Sequence, residues 1–150
     1  MSVYVGKDVN VTLQIPVEDE IETHKLLDLY YFGFIGNPSG THKASSQENS
    51  AEPAPSDTGW TEIDTDGYVN IWASDDSRHS VSTTTSGNYA MMLFRFKCEI
   101  PEADVKKIVA KFEGYGTAPA GNGVTMKIWD HVAAAWSNPV SGTAGTDETL

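Results

Sequence analysis

The chain has one cysteine, Cys98, and few basic residues. A single cysteine excludes an intramolecular disulfide and the cysteine pairs of a structural zinc site. Its 10 Lys and Arg residues are outnumbered by 21 Asp and Glu residues, which gives a formal net charge of -11. This balance argues against electrostatic attraction to nucleic-acid phosphates or to an anionic membrane surface. We therefore expect no nucleic-acid partner.

Long apolar runs are also missing. No run reaches the roughly 18 apolar residues of a transmembrane helix, so no membrane insertion is expected. The start, Met-Ser-Val-Tyr-Val-Gly-Lys-Asp, has no apolar run of signal-peptide length. We expect the chain to stay in the cytoplasm, to be exported by another route, or to leave the cell inside an assembled particle.

Motifs for catalysis and metal binding are absent. The sequence has no G-x-S-x-G elbow, H-E-x-x-H pair, Walker loop or G-x-G-x-x-G turn, and its four histidines share no ligand spacing. Asp64-x-Asp66-Gly67 is similar to the opening of a calcium loop, but the closing glutamate of an EF-hand is missing. We interpret this segment as an Asp-Gly turn, with calcium at Asp64 and Asp66 as the alternative. No catalytic residue, metal or other cofactor is expected.

What the sequence does contain is alternation of apolar and polar residues with a period of two. Successive side chains of a strand point to opposite faces of a sheet, so this pattern predicts half-buried strands. Three such segments separated by turn residues favour an all-β fold, an antiparallel β-sandwich. Their apolar positions are Phe94, Phe96, Cys98 and Ile100; Ile108, Ala110 and Phe112; and Val124, Met126 and Ile128.

The N-terminal part is less regular. Residues 9–15 alternate and predict a strand ended by Pro16. The acidic residues that follow predict a short helix over residues 17–29, and residues 26–35 form an apolar stretch that suits a buried strand or helix end. Residues 1–35 are interpreted as an N-terminal strand and apolar segment, either an assembly arm or part of the sandwich.

Composition changes over residues 36–59, which are polar and rich in Ser, Asn, Pro and Gly. We predict a loop or linker here and place the β-sandwich at residues 60–150. Within it, Asp64–Gly67 predicts the turn of a hairpin between strands at 61–63 and 68–73. Thr149-Leu150 resembles the start of a strand that a neighbouring chain completes, with a flexible tail as the alternative.

Two segments carry resemblances. The first lies within residues 60–137 and consists of Leu93–Pro101, Val105–Gly116, Val124–Asp130 and Trp136. It resembles jelly-roll domains of archaeal and bacterial surface proteins and of tailed-virus structural proteins in the tail or capsid. The resemblance implies a jelly-roll sandwich and a non-catalytic role in adhesion, sugar binding, or shell and tail architecture. Val3–Leu13 is similar to the opening of some tail proteins of viruses that infect archaea.

Aromatic residues are the candidate binding residues. Trp72 and Trp129 occupy the polar parity of their predicted strands, and large exposed aromatic side chains usually have a function. Three interpretations remain open: the N-terminal segment covers them, they form a subunit interface, or they stack on sugar rings. The candidate ligand or interface residues are Trp72, Trp129, Trp136 and Tyr115.

These observations lead to two functional expectations. The first is a non-enzymatic structural subunit of a virus particle, a tail or capsid-decorating protein, whose partners are copies of itself and other particle subunits. Its location is then the virion, assembled in the host cytoplasm. The alternative is a carbohydrate-binding or adhesion module of a cell-surface protein, with glycans as partners.

Overall fold

A computed structural model describes residues 2–6, 10–17, 26–30, 42–71, 77–97, 101–105, 107–118 and 121–150. These residues form ten strands, a short helix and a 3-10 turn at Glu102–Asp104, and all strand pairs are antiparallel. The all-β fold class is therefore confirmed, while jelly-roll connectivity stays a prediction. The elements are β1 (Ser2–Gly6), β2 (Asn10–Val17), β3 (Leu26–Tyr30), β4 (Lys43–Asn49), β5 (Thr61–Glu62), α1 (Thr65–Asn70), β6 (Tyr89–Arg95), β7 (Val109–Gly114), β8 (Val124–Asp130), β9 (Ala135–Gly142) and β10 (Glu148–Thr149).

The strands form two sheets. One has six strands in the order β5-β4-β6-β1-β8-β9, and the other has four in the order β10-β7-β2-β3. β1 lies between β6 and β8, and β2 lies between β7 and β3. Because an interior strand has pairing partners on both sides, each sheet depends on a strand from the start of the chain.

The two sheets share one hydrophobic core. Phe94 of β6 and Met126 of β8 belong to the same buried cluster as Phe112 of β7, which lies in the other sheet. The side chains of Phe94 and Phe112 are fully buried, and burial of such a side chain stabilises the fold by roughly 1.5–3 kcal/mol. Sheets that face each other across a common apolar layer form a sandwich.

The last residues also pack into this sandwich. Leu150 is partly buried against the core. Its N–H donates to the carbonyl of Phe112 at 2.9 Å, and the N–H of Phe112 donates to the carbonyl of Leu150 at 3.2 Å. The expectation of a free strand start or a flexible tail is therefore wrong, because β10 and Leu150 pair with β7 of the same chain.

β6 is buried on both faces. Phe94 faces the core, as its parity predicts. Met91 and Leu93 have the opposite parity, on the side where the sequence places Arg95, yet both are fully buried. The alternation therefore identified the strand but wrongly assigned Leu93 to a solvent-exposed face. The segment at residues 50–60 is bonded to this outer face of the six-stranded sheet, through Arg95, Lys127 and Trp136.

Three N-terminal assignments need correction. β2 continues through Pro16 to Val17, because Pro16 pairs only with β3, beyond the part of β2 that pairs with β7. The helix predicted over residues 17–29 is wrong at its described end, where β3 pairs with β2. The loop predicted over residues 36–59 contains β4, which pairs with β5 on one side and β6 on the other.

The predicted hairpin at residues 61–73 is half wrong. Thr61–Glu62 is strand β5, but residues 65–70 form helix α1. Asp64 is the N-cap residue, and its Oδ1 accepts a hydrogen bond from the Gly67 N–H at 2.8 Å. An aspartate in this position satisfies one of the free N–H groups of the first helical turn, so the Asp-Gly sequence starts a helix instead of a hairpin. Other predictions lie outside the described residues, namely those on residues 18–25, 31–41, 72–76 and 98–100.

Candidate functional site

The segment at residues 50–60, here called the strap, crosses the outer face of the six-stranded sheet. The main-chain carbonyl of Pro53 accepts the indole N–H of Trp136, with 3.0 Å between the two atoms. Arg95 of β6 donates to the carbonyl of Pro55, and Lys127 of β8 pairs with Glu52. Pro53 and Pro55 are buried. The strap is thus tied to β6, β8 and β9 on that face.

Trp129 and Trp136 are brought together by the structure. They are cross-strand partners on β8 and β9. Their ring centroids are 5.1 Å apart and the ring planes meet at 72°, which is an edge-to-face contact. Such pairs stabilise by about 0.5–1.5 kcal/mol beyond the area they bury. Because both rings are half-buried and one presents its edge to the other, they do not form a flat two-ring platform.

The interpretation that the N-terminal segment covers the tryptophans stays a prediction. The strap, which lies outside that N-terminal segment, bonds Trp136. Tyr115 is half-buried and directly follows β7, in the four-stranded sheet. Trp72 lies outside the described residues. The four candidates therefore do not form one site in the part of the chain that the structure describes.

The turn between β8 and β9, here called the tip (residues 131–134), exposes apolar side chains. Val132 is 97% exposed, and Ala133 and Ala134 are also exposed. Oδ1 of Asp130 accepts the N–H groups of Val132 at 2.8 Å and Ala133 at 2.9 Å. The N–H of Ala133, followed by that of Val132, lowers the pKa of Asp130. The turn is therefore held by side-chain-to-backbone bonds while its apolar residues point outward.

A groove of about 990 Å³ opens beside the strap. One wall is the segment at residues 82–90, and the other is formed by residues 116–118 and 123–125. The second wall is closed by a 2.9 Å hydrogen bond from the Gly123 N–H to the Gly116 carbonyl. A side chain at Gly116 would collide with the Gly123 carbonyl, because a Cβ at Gly116 would lie 2.1 Å from the Gly123 oxygen. Tyr89, on the first wall, is 60% exposed.

Glu48 of β4 fixes the first wall. Its Oε2 accepts the N–H and the hydroxyl of Thr84 at 2.9 and 2.8 Å. Its Oε1 accepts the Thr85 N–H at 2.7 Å and the Asn88 amide at 3.0 Å. These donors, with those of Thr84 contributing most, lower the pKa of Glu48 to about 2. A carboxylate that is ionised and engaged by four donors is an anchor for the loop and is poorly suited to accept a proton from a substrate.

Of the two candidate calcium residues, Asp64 has a structural role and Asp66 has none that the structure shows. Asp64 caps α1, and Asp66 is exposed in its first turn. Within the described part of the chain, no group of three or more His, Cys, Asp or Glu side chains is arranged to hold a metal ion. Arg78 pairs with Asp147. The described residues also include no helix long and apolar enough to cross a bilayer.

The strap, the Glu48 anchor and the groove were not predicted from the sequence. Glu48 lies in a polar segment, and its donors lie 36–40 residues away, so no local pattern indicates the contact. The only available signal for the groove wall was composition: residues 82–86 are Ser, Thr, Thr, Thr and Ser, which suits an exposed loop rich in hydroxyl groups.

Comparison with known proteins gives one family. Residues 39–150 match the model of the family AF_1625_C, described as "Uncharacterized protein, C-terminal domain". No curated protein and no solved structure matches the chain. The matched range includes the strap, the groove, the tip and β4 to β10. Since the match covers well over half of its length, the chain belongs to the AF_1625_C family.

Proposed function

We propose that this chain is a non-enzymatic structural subunit that assembles with copies of itself and with other subunits of a virus particle. The observation that carries the proposal is the tip, where Val132 is 97% exposed. A single exposed apolar residue is common on protein surfaces. Here it lies among exposed alanines on a protruding turn, which is a small apolar surface suited to a protein contact.

The stiffness of the tip supports a role in binding. Asp130 accepts hydrogen bonds from two backbone N–H groups of the turn. The Trp129–Trp136 contact lies at the cross-strand pair next to that of Asp130 and Ala135. Ala134 adopts a φ of 49°, in the left-handed region that costs energy for a residue with a Cβ. A contact element that is already ordered loses little conformational entropy when a partner binds.

The edge of the sheet next to the tip supports a finite assembly. β9 is the outer strand of the six-stranded sheet, and unpaired edges readily pair with other chains. Its register breaks between the Met126 and Ile128 pairs, where Asn138 has a φ of 50° and Pro139 lacks an N–H. A bulge and a proline oppose continuous edge-to-edge pairing, so side chains such as Val132 and Val140 are the better contacts.

The assignment to a virus particle rests on the resemblance of residues 60–137 to jelly-roll domains of tailed-virus structural proteins, with an all-β antiparallel fold as its support. It predicts that the chain is found in purified particles of the host's viruses at a fixed copy number, measured by quantitative mass spectrometry. Genes next to the coding sequence should encode portal, capsid or tail proteins. Recovery of the chain only from host membranes or the cell surface would favour the adhesion alternative.

Self-assembly is tested with a charge placed on the tip. Native mass spectrometry and sedimentation velocity should detect oligomers of the wild type at high protein concentration and a monomer for Val132→Asp. The matched control is Val69→Asp, which adds the same charge at a residue that is 43% exposed on α1, and it should assemble as the wild type does. A strictly monomeric wild type, or equal loss in both variants, contradicts the proposal.

A further inference from the structure

We propose that the groove binds a neutral oligosaccharide, a second function that does not depend on assembly through the tip. The groove is bounded by residues 82–90 on one side and by residues 116–118 and 123–125 on the other. Its volume of about 990 Å³ lies at the upper end of the usual range for ligand sites. That size suits several linked sugar rings better than a single one.

The charges of the groove favour a neutral ligand. Of the described lining residues, only Glu52 and Lys127 are charged, and they pair with each other. Glu48, behind the first wall, already accepts four hydrogen bonds. The described lining of the groove therefore offers no uncompensated charge to a phosphate, a carboxylate or an amine. The net charge of -11 further disfavours anionic ligands.

The polar groups of the groove match sugar hydroxyls. Its first wall presents a run of hydroxyl side chains that includes the exposed Ser82, Thr83 and Ser86. A hydroxyl can both donate and accept a hydrogen bond. Each sugar hydroxyl has the same dual character, so a wall of serine and threonine side chains can pair with several of them whichever way each hydrogen points.

Tyr89 supplies an apolar surface in the same groove. It begins β6, lines the groove, and is 60% exposed. One face of a pyranose ring is covered with C–H groups, which pack against an aromatic face while the hydroxyls at its edge bond to polar groups. The exposed ring next to the hydroxyl run provides both kinds of contact. This site is separate from the Trp129–Trp136 pair, whose rings are half-buried.

The wall is ordered before any ligand binds. Glu48 holds Thr84, Thr85 and Asn88, and the Asn88 N–H donates to the Thr85 carbonyl at 3.2 Å. Gly87 completes the turn with a φ of 86°, which favours glycine. A fixed wall avoids the entropy cost of ordering a loop on binding. It therefore allows measurable affinity from a few hydrogen bonds and one stacking contact.

The experiment is a screen of the purified full-length chain against an array of neutral and acidic glycans, followed by calorimetry with the best neutral oligosaccharide. Tyr89→Ala should weaken binding about tenfold, as expected for loss of one aromatic contact, and Tyr89→Phe should retain it. Val69→Ala is the control at an exposed site elsewhere and should bind like the wild type. Val132→Asp should also bind normally, which separates this site from assembly.

A second measurement needs no substitution. Titration of the isotope-labelled wild type with the same oligosaccharide should shift the amide NMR signals of residues 82–90 and 116–118. Absence of any neutral ligand on the array, preference for sialylated or sulfated glycans, or unchanged affinity of Tyr89→Ala overturns the proposal. Signal shifts confined to the surroundings of Trp129 and Trp136 would overturn it too and would favour stacking on the tryptophans.

Discussion

The indole N–H of Trp136 donates a hydrogen bond to the main-chain carbonyl of Pro53, 83 residues earlier in the chain. This bond ties the strap to β9, at the edge of the six-stranded sheet. Pro53 is buried. If the indole N–H were removed, water could not easily replace it as the partner of the Pro53 carbonyl. The contact contributes to the partial burial of Trp136 on this edge strand.

Trp136→Phe tests this tie. The variant keeps an aromatic ring beside Trp129 but removes the donor, so the free energy of unfolding should fall by about 1–2 kcal/mol in urea denaturation. Hydrogen exchange at the Asp57 amide, which bonds to the Ala54 carbonyl within the strap, should become faster. Trp60→Phe is the control, since the Trp60 indole N–H donates to the Ala54 carbonyl inside the strap itself and does not tie the strap to β9. Unchanged stability and exchange in Trp136→Phe would show that the strap is held by its other contacts.

Glu48 gives a prediction for acid stability. Its pKa is lowered from the ordinary value of 4.5 to about 2 by the hydrogen bonds of Thr84, Thr85 and Asn88. A depressed pKa means that the ionised group stabilises the fold fully above pH 4.5, and that this contribution is lost as pH falls from 4.5 through 2. Glu48→Gln should therefore be less stable than the wild type near neutral pH, and the difference should shrink across that window.

The measurement is the thermal midpoint of both proteins at intervals between pH 2 and pH 7. Thr84→Val serves as an intermediate case, because it removes the hydroxyl donor and leaves the carboxylate. Its loss of stability should begin at the same pH as in the wild type, near 4.5, but should be smaller and should end at a higher pH, because the folded-state pKa of Glu48 is depressed less. A constant difference between wild type and Glu48→Gln at all pH values would mean that Glu48 is not held as an ion.

The core predicts unequal effects of two substitutions in and beside β7. Phe112→Ala should cost about 3–5 kcal/mol of unfolding free energy, because it leaves a cavity between the two sheets. Ile108→Ala should cost less than about 1 kcal/mol, since Ile108 is 39% exposed although it has the same parity. Denaturant unfolding of the two variants measures the loss of unfolding free energy in each. Equal costs would mean that Phe112 does not lie in a layer shared by both sheets.

The strands of the fold differ in how far the sequence could predict them. β2, β6, β7 and β8 alternate, and alternation is a local consequence of the pleat, so their positions could be predicted. β4 could not, because its sequence Lys-Ala-Ser-Ser-Gln-Glu-Asn places one apolar residue, Ala44, in the core. Its strand conformation comes from pairing with β6, whose residues are 40 or more positions away.

Two further errors have the same physical origin. Asp-Gly suits both a hairpin turn and the first turn of a helix, and the tertiary contact of Tyr68 favours the helix. Its hydroxyl accepts the Ala44 N–H at 3.0 Å and donates to Glu62 at 2.9 Å. β3 has apolar residues at spacings that fit either conformation, and its register against β2 makes it a strand. For the candidate sites, composition indicated exposed hydroxyl groups and aromatic residues but not which of them meet.

The topology predicts that the matched region cannot fold alone. A fragment of residues 39–150 lacks β1, which lies between β6 and β8, and β2 and β3, which make half of the four-stranded sheet. The interior edges of β6, β7 and β8 would then be unpaired and the core open to water. The fragment should show a poorly dispersed NMR spectrum and no cooperative thermal transition. The full chain is the control, and a cooperatively folding fragment would mean that the N-terminal strands are dispensable.

Salt distinguishes an apolar assembly contact from an ionic one. Copies of a chain with a net charge of -11 repel one another, and this repulsion reaches about 30 Å at 0.01 M salt but only about 3 Å at 1 M. If Val132 and its neighbours form the contact, salt removes the repulsion without weakening the attraction. The sedimentation coefficient should then rise with sodium chloride at constant protein concentration. Val132→Asp should abolish the rise and Val69→Asp should retain it, whereas dissociation of wild-type oligomers by salt would assign the contact to ion pairs and exclude the tip.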